Sequence, residues 1–146
     1  MRRLLAGLVA PALAVGVFIG LSPALATTVE AQSCNGVYDH EAHTTIGSLS
    51  IYSDLVAANC GNGNWQYTSY LSSYGGSMTG PMDVNVRVWV CGTYQGSWNY
   101  YYSGNSAGIR VTSPEFYYGS CGLQADNEYT FFYVGSTFHY APYVHY

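Results

Sequence analysis

Along residues 84–91 apolar and polar positions alternate without a break. Val84, Val86, Val88 and Val90 fall on one side; Asn85, Arg87, Trp89 and Cys91 fall on the other. A period of two is the mark of a strand with one buried face. Residues 93–102 return beside it through Gly92 or Gly96. Residues 107–112 predict a further strand with Ile109 and Val111 inward. Residues 129–134 and 137–140 predict a hairpin across Gly135-Ser136, a two-residue turn. Upstream, residues 46–52 and 65–71 bring the set to about seven strands. No apolar pattern of helical period runs for three clean turns, and residues 48–58 are the one stretch where a short helix competes. Turn signals such as Gly61-Asn62-Gly63-Asn64, Gly75-Gly76, Gly80-Pro81, Gly104-Asn105, Ser113-Pro114 and Gly119-Ser120 keep the spacing short. Many short strands with close turns predict an all-β fold, a small antiparallel β-sandwich or barrel.

The first residues follow another pattern. Met1-Arg2-Arg3 precedes an uncharged apolar run over residues 4–21; Ser22-Pro23 breaks it, and Ala24-Leu25-Ala26 follows. A positive start, an apolar middle and a small-x-small end make a secretory signal peptide, residues 1–26. Cleavage after Ala26 is the first choice, and Val29-Glu30-Ala31 offers a rival site. An uncleaved anchor is the alternative, weakened by Gly7, Pro11, Gly16 and Gly20. Residues 27–33 then form a flexible arm, and residues 34–146 a single β domain, of a size that can bury a core.

Composition changes this picture in two ways. All four cysteines, Cys34, Cys60, Cys91 and Cys121, lie after the signal. An even number in an exported chain reads as two disulfides. Three pairings are open, and the sequential one, Cys34–Cys60 with Cys91–Cys121, is the expectation. Each bridge then closes a loop of about 25 to 30 residues and stabilises by about 3 kcal/mol. A four-thiolate zinc site is the rival, but it usually takes cysteines in close pairs. The second change is in charge. The chain has no lysine, and Arg2 and Arg3 leave with the signal. Arg87 and Arg110 then face eight acids, a net −6, or −5 if Glu30 is removed. Phosphate backbones and anionic lipids demand clustered cations. Nucleic acid is excluded as a partner, and so is the membrane after signal cleavage.

Candidate chemistry is sparse. Asp39-His40-Glu41-Ala42-His43 gathers metal-ligating side chains, but its histidines stand at i and i+3, one short of the zinc-protease motif. A polar surface loop is the expectation there. No serine sits in a nucleophile-elbow motif, and no spacing singles out a pair among Glu41, Glu115, Asp126 and Glu128 for glycoside hydrolysis. Asp126-Asn127-Glu128 lacks the glycine and acid spacing of a calcium loop. No catalytic residue, metal or cofactor is expected, and a non-enzymatic role is favoured over an enzymatic one.

Aromatic residues offer more. All sixteen tyrosines follow the signal. On a strand, Trp98, Tyr100 and Tyr102 share one face, while Asn99 and Tyr101 share the other. Tyrosine gives a stiff contact area with a polar tip. Trp98, Asn99, Tyr100 and Tyr102 are therefore the candidate binding residues, for cell-wall glycan or an extracellular protein. Core packing is the plainer role for such rings.

Residues 98–121, with Trp98, Tyr102, Ala107-Gly108, Ile109-Arg110-Val111 and Cys121, resemble part of the small exported actinobacterial proteins of the spore-associated type. Ile109 stands where that family has a proline. The resemblance implies a surface or spore-coat-like protein and transfers no active site. The expected function is thus an exported non-enzymatic protein, cell-surface or spore associated. A glycan-binding or secreted-enzyme-inhibitor module is the alternative, and a secreted hydrolase ranks last.

Overall fold

The computed structural model describes residues 34–146; the signal peptide expected over 1–26, its two expected cleavage sites and the arm expected over 27–33 lie outside the described residues. The described chain forms ten strands: β1 (Asn35–Ile46), β2 (Leu49–Gly61), β3 (Asn64–Tyr74), β4 (Thr79–Val90), β5 (Thr93–Tyr102), β6 (Gly108–Thr112), β7 (Phe116–Tyr117), β8 (Leu123–Asp126), β9 (Phe131–Val134) and β10 (Thr137–Tyr140). They make two antiparallel sheets. The first has the order β1-β2-β3-β6, with β7 also on β3; the second has the order β10-β9-β4-β5, with β8 also on β4. Each sheet repeats one plan. A long strand, β3 or β4, takes a long hairpin partner on one side and two short strands on the other. The expected all-β class with antiparallel sheets is what the chain adopts.

The alternation on β4 does what its pattern implies. Val84, Val86 and Val88 are fully buried, as is Met82 two residues earlier. They meet inward residues of the first sheet in two clusters. One joins Leu55, Ala57 and Tyr67 to Val86, Val88, Tyr118, Ala125 and Val144. The other joins Leu49, Ile51 and Leu71 to Met78, Met82, Val84 and Phe132. Ser53 and Ser69 sit on the buried face between them, fully buried, with hydroxyls that find no partner. Tyr67 lies edge-on to Tyr118 and Tyr146, at 6.0 and 6.1 Å between ring centroids.

Several boundaries differ from the sequence reading. The stretch expected as a polar loop at 39–43 is the middle of β1. It is an edge strand whose inward positions are only partly covered, with His40 and Thr44 exposed and Ala42 half-buried. Such a strand needs no apolar alternation. The strand expected at 46–52 straddles a turn: Ile46 pairs with Leu49, and Gly47 takes φ 61°. The helix competitor at 48–58 is β2, where Leu49, Ile51, Ser53, Leu55 and Ala57 all point inward. Cys91, assigned to the strand over 84–91, stands instead in the β4–β5 turn with φ 52°, followed by Gly92 at 79°. Positive φ at both central residues suits the twist of a two-residue hairpin. The Gly135-Ser136 turn is as expected, with Val134 pairing Thr137.

The cysteines pair sequentially. Cys34–Cys60 closes the open end of the β1–β2 hairpin, with Cα atoms 4.0 Å apart. Cys91–Cys121 ties the β4–β5 turn to the loop before β8, with Cα atoms 5.3 Å apart. Both fit an oxidising compartment.

Candidate binding surface

Because the valines of β4 face the core, Asp83, Arg87 and Trp89 face outward, and the pairing registers carry that outward face across the second sheet. Asp83 stands opposite Tyr101 on β5 and Phe131 on β9, and Phe131 stands opposite Tyr140 on β10. Tyr133 stands opposite Phe138. Trp89 stands between Tyr94 and Gln124, and Arg87 between Ser97 and Asp126. Directly opposite residues share a face, so one outer surface collects Tyr94, Tyr101, Phe131, Tyr133, Phe138 and Tyr140.

These rings touch one another. Phe138 lies 5.4 Å from Phe131, 5.5 Å from Tyr133 and 4.9 Å from Tyr140, centroid to centroid. Trp89 lies 5.4 Å from Tyr94. Tyr140 is 66% exposed, and Tyr94, Tyr101, Tyr129 and Phe138 are exposed as well. A shallow pocket of about 280 Å³ lies among Glu128, Tyr129 and Tyr140.

Polar groups hold the middle of this surface. The Arg87 guanidinium lies over the rings of Trp89 and Tyr129, at 5.0 and 4.8 Å. It donates through Nε to Asp126 Oδ1 at 2.7 Å and through Nη2 to Asp126 Oδ2 at 2.5 Å, and Nη2 also meets Glu128. The hydrogen-bonded Asp126 carboxylate holds Arg87 above its ordinary value, so it stays a cation. Tyr143 donates to Asp126 Oδ2 at 3.3 Å. Burial pushes the Tyr143 hydroxyl up, with the Asp126 charge adding to it. Asn99 donates to Asp83 Oδ2 at 3.0 Å, while Asp83 Oδ1 is buried without a partner. Burial raises the Asp83 carboxyl, and Asn99 partly offsets that. The surface therefore combines stacked rings with the Asp83–Asn99 and Arg87–Asp126 hydrogen-bonded pairs.

The four residues singled out by sequence do not form one patch. Trp98 is half-buried, packs against the core cluster of Val86 and Val88, and has its ring 5.4 Å from Phe116. It folds over Gly96, where a Cβ would stand 3.1 Å from the indole. Tyr100 and Tyr102 stand opposite Val84 and Met82, on the core-facing side of an edge strand, yet remain 47% and 38% exposed. Asn99 alone of the four belongs to the outer surface. The rings of β9 and β10 were not among the candidate binding residues, although Tyr140 stood out as a further surface aromatic and the Gly135-Ser136 turn implied a shared face: around a two-residue turn, Phe131, Tyr133, Phe138 and Tyr140 must align.

The histidines of the 39–43 stretch are separated by strand geometry. His40 donates through Nδ1 to the His145 carbonyl at 2.9 Å and stacks on Tyr146 at 4.2 Å, whereas His43 lies 5.7 Å from the Tyr52 ring. Among the described residues one trio of ligand atoms converges, those of Cys34, Cys60 and Glu115; its two sulfurs are joined in the disulfide.

Comparison with protein-family models, with curated proteins and with solved structures finds no match to this chain.

Proposed function

We propose that this is an exported, non-enzymatic, surface-associated protein that holds glycan through the outer face of its second sheet. The carrying observation is the set of exposed Tyr and Phe side chains, with the half-buried Trp89, beside the Asp83–Asn99 and Arg87–Asp126 hydrogen-bonded pairs. Sugar rings present apolar faces edged by hydroxyls. Flat aromatic rings with polar tips, beside paired donors and acceptors, answer both features. The net negative charge and the scarcity of cations turn the surface away from polyanions. The export signal and the resemblance to spore-associated proteins support a place on a cell or spore surface. The inhibitor alternative fits less well. It asks for a protruding loop near Gly92 to Gly96, and the β4–β5 turn spans two residues.

The test is retention of the exported protein on insoluble cell wall and on polysaccharide matrices. Tyr140→Ala combined with Tyr101→Ala should lower retention at least tenfold with an unchanged melting temperature. Tyr74→Ala, exposed on the first sheet, should retain as the parent does. Equal retention of all three, or none by the parent, would overturn the reading.

A further inference from the structure

The first sheet carries a different surface. On its outer face, Glu41 on β1 stands opposite Asp54 on β2, Asp54 opposite Tyr70 on β3, and Tyr70 opposite Arg110 on β6. Four strands thus contribute one straight row: two carboxyls, a phenol and a guanidinium. A pocket of about 280 Å³ lies along it, lined by Asp54, Tyr70, Ser72 and Arg110, with Gly108 and Ile109 at its side. Gly108 stands opposite Ser72 and leaves the strip beside Tyr70 clear of a side chain.

No ion pair among the described residues involves the charges of this row. Both ion pairs among the described residues belong to Arg87. Arg110 is exposed, and its guanidinium has neither an ion-pair nor a hydrogen-bond partner among them. Asp54 Oδ1 is buried without a hydrogen-bond partner. Burial, with the charges of Glu41 and Asp39 beside it and a hydrogen bond to Glu41, pushes the Asp54 carboxyl up to about 6. Asp54 and Arg110 attract each other, yet Tyr70 keeps them apart by two strand spacings, about 9.5 Å. Strand side chains stand roughly perpendicular to the sheet, so their charged ends stay separated.

We propose that this row is a docking site for a short peptide with free ends: its ammonium between Asp54 and Glu41, its carboxylate on the Arg110 fork, and its amide over the Tyr70 ring. Length selects the class. Two extended residues span about 7 Å, which with hydrogen-bond reach at each end bridges the row; a single amino acid carries its charges too close together. A planar guanidinium takes a carboxylate through two parallel bonds. The site lies on the opposite sheet from the glycan surface and stands or falls separately from it.

The test is a titration of isotopically labelled exported protein with alanyl-alanine, followed by amide chemical shifts. Shifts should centre on Asp54, Tyr70 and Arg110. N-acetylation or methyl esterification of the dipeptide should each weaken binding at least tenfold, and free alanine should bind as weakly. Arg110→Gln should lower dipeptide affinity at least tenfold and abolish the difference between the dipeptide and its ester. Asp54→Asn should abolish the difference between the dipeptide and its N-acetyl form. An otherwise unchanged amide spectrum establishes that each variant is folded. The proposal fails if no shifts appear at millimolar dipeptide, if the blocked forms bind equally, or if acetate or methylamine alone binds as tightly.

Discussion

Asp54 shows how a single side chain links sheet register to pH. Its carboxyl is raised from 3.8 to about 6, first by burial and then by Glu41 and Asp39. The folded state thus holds this proton more tightly than the unfolded chain does. Its contribution to stability is full below about pH 4 and is lost as pH rises through about 6. Burial gives Asp83 the same sign. Urea unfolding across this range should show stability falling with pH. Glu41→Gln, which removes the facing charge, should flatten that fall; an unchanged slope would mean the register pair does not set it. Arg87 is raised too, but there the favoured form is the charged one. Held by Asp126, it stays charged throughout, and its role is to compensate a carboxylate whose side chain is 7% exposed. Such a pair is costly to break from one side because the remaining charge is left buried.

At the scale of the strands, the two disulfides close similar spans, 26 and 30 residues apart in sequence, yet fasten different things. Cys91–Cys121 holds the loop that seats Tyr118, whose hydroxyl donates to the Trp89 carbonyl at 2.6 Å. Cys34–Cys60 closes the mouth of a hairpin whose outer strand is a half-covered edge. Loss of the first bridge, in a Cys91→Ala, Cys121→Ala double variant, should cost about 3 kcal/mol of global stability. Loss of the second should first appear as local fraying of β1, read by faster amide exchange over Tyr38 to Thr44.

Strand visibility in the sequence follows burial. The valines of β4 and the hairpin over β9 and β10 were legible because one face is buried and the turn chemistry is explicit. β1 was not, because an edge strand with exposed inward positions carries no apolar period. Strands β7 and β8 were not, at two and four residues. In β2, Ser53 interrupts an otherwise apolar inward series and left a helix in contention.

For the whole molecule, the two sheets share a core and turn outward two chemically distinct surfaces. One is aromatic with a hydrogen-bonding centre; the other is a row of separated charges. Neither could be read directly from the chain. The aromatic run at 98–102 drew attention because its rings are consecutive, yet consecutive strand residues divide between faces. The larger aromatic surface takes every second residue from several strands and exists only once their register is known. Among the described residues no helix is long and apolar enough to cross a membrane. The two disulfides fit an oxidising compartment.

The most direct measurement is amide hydrogen exchange of the disulfide-bonded protein with and without oligosaccharides released from bacterial cell wall. Added protection is expected in the second sheet alone, around Asp83, Asn99, Tyr101, Phe131 and Tyr140, with the first sheet unchanged. Protection centred on β1–β3, or none anywhere at saturating oligosaccharide, would contradict it.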